Sequence, residues 1–496
     1  MGGTRRAIVG ELSQVYSALA RSRPELILAG PAVVLAGVSL DASTAQRLHC
    51  FGVDVHEIDV HGTDVHGTDG QAIDRPALKR GAYLLGGALN GTVVPADTAG
   101  FDGDVMALVE RARLREWAAD TGPAPVFTTM HKPGSDSRGV VQFRLGDREI
   151  VAKIGAGDAI TGEVRFASQA NTLLTREGRR GLFPVVHGLH VEGAQATSLM
   201  EAGTPMPIAA LFADEARTVL ADVALTMLEA HLDEVGAWYT LTIDTQRPTV
   251  ADYLYRERYH ALTETSGFLD TFRAFFDDLP LADLLAAPVL LPGGLAVPGY
   301  SEAVAWLDKV VPQLLPDYGS AVHGDIYAAN MLLRSDGSPM LIDPRTVWEG
   351  RDRPDVGYGD PVFDLSTLLH GVFPMAAILH AVETAATAAL FGEPVRQPDQ
   401  TMLDLSSLRL PVTFPPAVRA LEIRMLRAVP ANDESARIRL YIGAATSLAG
   451  WLKYERSLCT REAWLATYAF VAWYLRQARE LWDDEGTSGK QAPWTR

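Results

Sequence analysis

Apolar and polar positions fall into three regimes along this 496-residue chain. Up to about residue 115, short apolar runs alternate with stretches of helical spacing. "PAVVLAGVSL" (31–40) is a β-branched run that predicts a buried strand. "DASTAQRLHCFG" after it has helical spacing and ends in glycine. "VDVHEIDV" (53–60) alternates and predicts a second strand. "GTVVPADTAG" and "GDVMALVERARLREWAADTG" predict strand, loop and helix, with the helix acidic at its start, basic in its middle and closed by Gly122. Strand and helix alternating in this way predict a small parallel sheet.

The second regime begins where Gly and Pro punctuate "ADTGPAPVF" (119–127). In "VVQFRLGDREIVAKIG" two alternating runs flank Gly146-Asp147, which predicts a β-hairpin. From about residue 204 the period changes to three and four. "EARTVLADVALTMLEAHLDEV", "SEAVAWLDKVVPQLL" and "REAWLATYAFVAWYLRQARELWDD" all predict amphipathic or buried helices. The expected organisation is an α/β domain over 1–118, a β-rich lobe over 119–203, a helical lobe over 204–483, and a loose polar tail over 484–496.

Composition narrows the class. Hydrophobic residues make up 47% and charged residues 21%, which suits a globular chain of two to four domains. No stretch approaches the ~18 uninterrupted apolar residues of a membrane span, and Met-Gly-Gly-Thr-Arg-Arg is not followed by the apolar run of a signal peptide. Cys50 and Cys459 have no metal-ligand spacing and read as reduced thiols, which points to a cytoplasmic location. A formal net charge of −17 argues against a nucleic-acid partner. "VHEIDVHGTDVHGTDG" (55–70) repeats Val-His-x-x-Asp and offers His56, His61 and His66 with Asp59, Asp64 and Asp69. Its spacing matches no zinc or calcium pattern, so it reads as a tandem duplication lengthening a surface loop.

Chemistry concentrates in "AVHGDIYAANMLL" (321–333), which contains H-G-D-x-x-x-x-N. An aspartate that accepts a hydroxyl proton must be held rigidly near a terminal phosphate, and an asparagine five residues on can turn back to hold magnesium. A second aspartate, bridging magnesium to phosphates, belongs at the end of the following hairpin. "NMLLRSDGSPMLIDPR" predicts strand, Ser-Asp-Gly turn and strand, ending at Asp343. Lys153, flanked by β-formers in "EIVAKIG", is the candidate for the α and β phosphates. "KPGSDSRG" (132–139), with Gly134, Ser135 and Ser137, is a candidate phosphate loop. Glu163 is the expected acid partner of Lys153, at only ten residues' separation. Gln169 sits at a more usual distance but cannot form an ion pair.

"HGDIYAAN", "LIDPR" and "YGDPVFDLSTLLHG" (358–371) resemble the aminoglycoside phosphotransferase and choline kinase group of small-molecule kinases. The Ile-Asp-Pro-Arg form is most similar to phosphotransferase-family proteins of bacterial polysaccharide gene clusters. The resemblance covers about 125–480. It implies an α+β, bilobal protein-kinase-like fold with the nucleotide between the lobes, preceded here by the N-terminal α/β domain. It makes "TSLMEAGTPM" (197–206) the hinge, with Glu201-Ala202-Gly203 presenting backbone to adenine. It makes Asp325 the catalytic base, Asn330 and Asp343 the Mg2+ ligands, and His323 a brace of the loop. Asp360 and Asp364 order the downstream segment, with Asp364 capping its helix. Arg345 pins Asp343 or reaches an anionic group of the acceptor; the sequence leaves both open.

The function expected is transfer of the γ-phosphate of ATP or GTP to a hydroxyl of a sugar or sugar-like metabolite. Two alternatives stand beside it: an aminoglycoside-type antibiotic as acceptor, and a nucleotide-binding regulator or scaffold without turnover. Against the regulator, base, metal ligands and lysine are all present. The first ~115 residues hold no P-loop, G-x-G-x-x-G or serine elbow, and no activity is assigned to them.

Overall fold

The computed structural model describes residues 32–36, 54–58, 65–67, 82–84, 126–131, 137–145, 148–192, 195–206, 218–245, 253–276, 279–345, 347–348, 351–352, 357–393, 402–430 and 433–487. The chain forms two compact units, Met1–Gly203 and Thr204–Arg496. Strand and helix content together make it an α+β protein.

In the first unit, β1 (Ala32–Ala36), β2 (Asp54–Ile58), β3 (Val65–Gly67) and β4 (Ala82–Leu84) form a sheet in the order β3-β2-β1-β4. β1 runs parallel to β2 and β4, as strand–helix alternation predicts. β2 and β3 are antiparallel, with Glu57 opposite His66. Both strands draw on the Val-His-x-x-Asp repeat, so this stretch contributes paired strands rather than only a lengthened loop. The strand and helix expected over 91–122 lie outside the described residues.

A second sheet contains β5 (Val126–His131), β6 (Ser137–Leu145), β7 (Arg148–Ala156), β8 (Val186–Glu192) and β9 (Gln195–Glu201), all antiparallel, in the order β5-β6-β7-β9-β8. β6 and β7 pair antiparallel with Leu145 opposite Arg148, as the hairpin read from "VVQFRLGDREIVAKIG" predicts. Helix α1 (Gly157–Arg176) starts directly after β7. It buries Ile160, Phe166, Ala167, Ala170 and Leu174, and it packs on β7, β8 and β9. Phe166 meets Phe183 edge-on at 5.2 Å, a contact that ties the helix to the segment entering β8.

The second unit is mainly helical. Its principal helices are α2 (Thr218–Thr242), α3 (Tyr300–Leu314), α4 (Pro361–His370), α5 (Pro416–Ala428), α6 (Ala436–Trp451) and α7 (Arg461–Thr487). α2 buries Leu225, Leu228, Leu232, Val235 and Tyr239, the three-and-four spacing read from its sequence. α6 packs along α7 and against α4, and α2 packs on α5. α6 and the first half of α7 are buried on nearly every side, which explains why they are apolar all round. Trp464, Trp473 and Tyr474 lie within that layer, and each such side chain contributes about 1.5–3 kcal/mol by leaving water.

Two small sheets complete the unit. β10 (Thr204–Pro205), β12 (Met331–Leu333) and β13 (Pro339–Leu341) pair in the order β10-β12-β13. β11 (Ser320–Ala321) pairs with β14 (Tyr358–Gly359).

One sequence expectation is corrected here. α7 continues to Thr487, so the start of the segment read as a loose tail is helical. The segment Pro361–Glu383 is long and apolar enough by length and mean hydropathy to cross a membrane, but its most apolar stretch is 83% buried inside the protein, the mark of a core helix, and Asp364 interrupts it, in keeping with the absence of an uninterrupted apolar run.

Candidate active site

Lys153 lies on β7, the middle strand of its sheet, opposite Val140 of β6 and Ser198 of β9. It is 4% exposed. Its Nζ donates to both carboxylate oxygens of Glu163, at 2.8 and 2.7 Å. The ten-residue separation is explained by the absence of a loop between β7 and α1. From Lys153 to the strand's end is about 10 Å at ~3.3 Å per residue. From there to Glu163 is about 10 Å of helix at 1.5 Å per residue. A helix folding back along the strand therefore brings the two side chains level. Gln169 is exposed on α1. The two bonds to one carboxylate fix the direction of the buried ammonium, as a phosphate-binding group requires.

Other expected nucleotide contacts in this unit are only partly described. Gly134 and Ser135 lie outside the described residues, and Ser137 opens β6 opposite Gly155. At the expected hinge, the Glu201 N–H donates to Val185 O at 2.9 Å and its carboxylate accepts the Val185 N–H at 3.2 Å. The Ala202 N–H donates to Glu149 O at 3.4 Å. The N–H groups of Glu201 and Ala202 are thus engaged within the unit.

In the second unit the H-G-D segment follows β11, and His323 is completely buried. Its Nδ1 accepts the Asp325 N–H at 3.2 Å, which places the ring proton on Nε2, 2.8 Å from Ile342 O. One imidazole thus joins the start of the loop to the residue before Asp343. The Arg345 N–H donates to His323 O at 2.8 Å and closes the same junction from the other side. Gly324 has φ +84°, a conformation that favours glycine and turns the chain so that its N–H points at Asp364.

Asp364 is the centre of the brace. Its carboxylate accepts the N–H of His323 at 2.6 Å, the N–H of Gly324 at 2.5 Å and the Tyr239 hydroxyl at 3.0 Å, with no exposure to solvent. The hydroxyl of Thr367 donates to Ile326 O at 2.9 Å, and Gly371 passes so close to Tyr327 that a Cβ there would stand 3.3 Å from the Tyr327 Cβ. Positions 364, 367 and 371 share one face of a helix, so a single face of α4 carries the loop. The helix is capped by Asp360, whose Oδ1 accepts the Val362 N–H at 3.0 Å, not by Asp364. The correction has a simple cause: Asp364 sits a full turn inside the helix and faces away from its amino end. The other Asp360 oxygen accepts from Tyr255 at 2.9 Å and from Arg439 Nε at 2.7 Å.

Asn330 is 4% exposed and donates from Nδ2 to Asp325 O at 3.0 Å, which leaves Oδ1 as the acceptor atom of its amide. The Ile342 N–H donates to Asn330 O at 3.0 Å, so the hairpin β12–β13 fixes Asn330 beside the strand that leads to Asp343. Asp343 has φ +59°, a left-handed conformation that aspartate tolerates at a cost of about 1–2 kcal/mol. Such outliers persist where their surroundings over-determine them, as at active sites. Tyr327 senses both carboxylates: burial raises its pKa, and the Asp325 and Asp343 charges push it further. Arg345 NH2 lies 3.5 Å from Asp325 Oδ2. Within this unit the sequence-predicted residues 323, 325, 330, 343, 345, 360 and 364 are thereby joined by shared bonds and charges.

Sequence reasoning missed several supports. Arg439, 1% exposed, pairs with Asp360 and Asp433. Its guanidinium is held above its ordinary pKa because, although burial opposes the charge, the two carboxylates outweigh it. The two arginines of "ARIRLYIGAATSLAG" were the available signal, because a charge that an apolar helix buries needs a partner. His231 also went unnoticed. Its ring bridges Met227 O at 3.2 Å and Leu332 O at 3.0 Å, tying α2 to β12, and its pKa is lowered by burial against the opposing pull of those carbonyls.

A family model described as the phosphotransferase enzyme family matches residues 132–398. A comparison with curated proteins finds no match. Among solved structures, choline kinase LicA from Streptococcus pneumoniae is similar at 11% identity over 74% of this chain and 99% of its own, with a TM-score of 0.36. Aminoglycoside phosphotransferase APH(4)-Ia shares 11% identity over 75% and 98%, with a TM-score of 0.34. Spectinomycin phosphotransferase APH(9)-Ia, in complex with ADP and spectinomycin, shares 12% over 74% and 98%, also at 0.34. The assignment rests on the family model and not on these likenesses. Because that model spans more than half of the chain, from before Lys153 to beyond Asp364, the chain belongs to the phosphotransferase enzyme family and is a phosphotransferase acting on hydroxyl groups.

Proposed function

We propose that this protein is a small-molecule kinase that transfers the γ-phosphoryl group of ATP or GTP to a hydroxyl of a sugar or sugar-like metabolite. The bond from phosphorus to the bridging oxygen breaks and releases the nucleoside diphosphate. A bond from the acceptor oxygen to phosphorus forms, and the acceptor's proton passes to Asp325. Lys153, directed by Glu163, neutralises phosphate charge. The Gly203 N–H is the hinge donor to the base. Asn330 Oδ1 and the Asp343 carboxylate are the hard oxygen donors that would hold magnesium. When bound there, the metal supplies charge neutralisation at the phosphates.

The observation that carries this reading is the bracing of Asp325. A catalytic carboxylate gains from being pre-positioned, because orientation alone lowers a barrier substantially. Here the N–H of Asp325 is held by His323, and the two residues before it are clamped by the buried Asp364. A surface turn has no need of a buried carboxylate beneath it.

The test is a pair of substitutions in the full-length protein. Asp325→Asn should lower phosphoryl transfer by about 10²–10⁴-fold, the usual worth of a positioned base, while nucleotide affinity stays within about threefold. Asp343→Asn should weaken nucleotide binding in magnesium far more than in EDTA, measured by calorimetry. Transfer by Asp325→Asn at near wild-type rate would remove that residue from the role.

A further inference from the structure

Arg345 occupies a place that phosphoryl transfer alone does not require. Its backbone is fixed by the N–H to His323 O bond at 2.8 Å, two residues beyond Asp343. Its guanidinium reaches Asp325, and the contact at 3.5 Å is a charge contact, longer than a hydrogen bond. Both side chains are 30% exposed, so base and cation reach solvent together.

A permanent cation beside a catalytic base has two consequences. It holds the carboxylate in an ion pair, which competes with the acceptor's hydroxyl for the same oxygen. It also repels any acceptor that arrives with positive charge. An acceptor bearing its own anion reverses both effects: the planar guanidinium fork matches a carboxylate or phosphate, and engaging it draws Arg345 away from Asp325.

We infer that the acceptor carries an anionic oxygen group, carboxylate or phosphate, close to the hydroxyl that is phosphorylated, and that Arg345 binds this group. The substrate class is then an acidic sugar rather than a polycation. Arg345 is a specificity residue that meets the substrate, and its departure from Asp325 on binding leaves the base ready for the proton. The inference rests on the reading of Asp325 as the base.

The experiment uses the full chain with magnesium and ADP. Affinity is measured by calorimetry for D-galactose against D-galacturonate, for D-glucose against D-glucose 6-phosphate, and for kanamycin. Transfer from ATP is measured with the same compounds. At least one acidic member should bind about tenfold or more tightly than its neutral partner, and the pair that responds distinguishes carboxylate from phosphate. Arg345→Gln should collapse that preference to below about threefold by raising KM for the acidic sugar more than it lowers kcat. Arg345→Lys, which keeps the charge but not the fork, should restore part of it. Equal or absent affinity within both pairs, a preference for kanamycin, or an Arg345→Gln preference unchanged from wild type overturns the inference. Asp325→Asn separates the two ideas: acidic preference in binding with undiminished transfer would sink the base assignment and leave the anion site standing.

Discussion

Arg439→Met is the sharpest test of how the catalytic loop is supported from behind. Arg439 is 1% exposed, and its Nε donates to Asp360 at 2.7 Å. Other donors reach Asp433, Ser435 Oγ at 2.7 Å and Leu314 O at 3.1 Å. Methionine fills similar volume but leaves Asp360, with no solvent exposure, holding its charge on one tyrosine hydroxyl and one backbone N–H. Removing one partner of a buried pair costs about 3–5 kcal/mol. In a unit of this size each kcal/mol moves the melting point by about 2–4 °C, so the expected drop is about 6–20 °C.

Thermal unfolding followed by tryptophan fluorescence is the assay, because Trp238, Trp464 and Trp473 are buried in the same unit. The second arm is the variant Arg439→Met with Asp360→Asn. Taking away both charges removes the uncompensated carboxylate, so the double variant should lose less than the two single losses added together. The coupling should be about 2 kcal/mol or more. A drop below about 2 °C in the single variant, or strict additivity in the double, would mean that Asp360 is stabilised by its other partners and that Arg439 is not what anchors α4.

How much of this was visible beforehand depends on the range of each interaction. Asp325, Asn330 and Asp343 could be named because their chemistry is compressed into one loop and one hairpin, where spacing alone fixes which atoms meet. Lys153 and Glu163 could be paired because strand and helix have fixed rises and no loop intervenes. The cap was misassigned because Asp360 and Asp364 are both plausible helix starters by residue type. Only the direction of the chain entering α4 decides between them, and that direction is set by the pairing of β11 with β14. Arg439 was illegible as a partner of Asp360 because 79 residues separate them. A long-range buried ion pair leaves a charge in an apolar run but no record of what it faces. The Val-His-x-x-Asp repeat was legible in its first half only: residues 53–60 alternate and predict β2, whereas His and Gly further on suggest a loop, and Val65–Gly67 pairs as β3 because β2 lies beside it.

Three further substitutions probe the loop and the helix that carries it. Asp364→Asn keeps one acceptor but turns an NH2 group toward a backbone N–H that now lacks its partner, a cost of about 2–4 kcal/mol from one lost charge-assisted bond and one unsatisfied donor. It should lower kcat with little change in nucleotide affinity, whereas Tyr239→Phe, which removes only the third donor, should cost about 1 kcal/mol; equal effects would show that the loop does not depend on the two backbone bonds. His370 tests the same helix through pH: burial first, with Arg258 and Arg345 adding and the Ser366 carbonyl opposing, takes its pKa from 6.5 down to about 4. The folded value lies below the unfolded one, so the contribution is fully present above pH 6.5 and is lost as pH falls toward 4, amounting to about 3 kcal/mol. His370→Gln keeps an acceptor for Trp451 Nε1 and removes the titration, so urea midpoints measured from pH 7 to 4.5 should fall less steeply than in the parent. An unaltered slope would mean that the imidazole is not held neutral, and that the ring beneath the catalytic loop reaches water despite its burial.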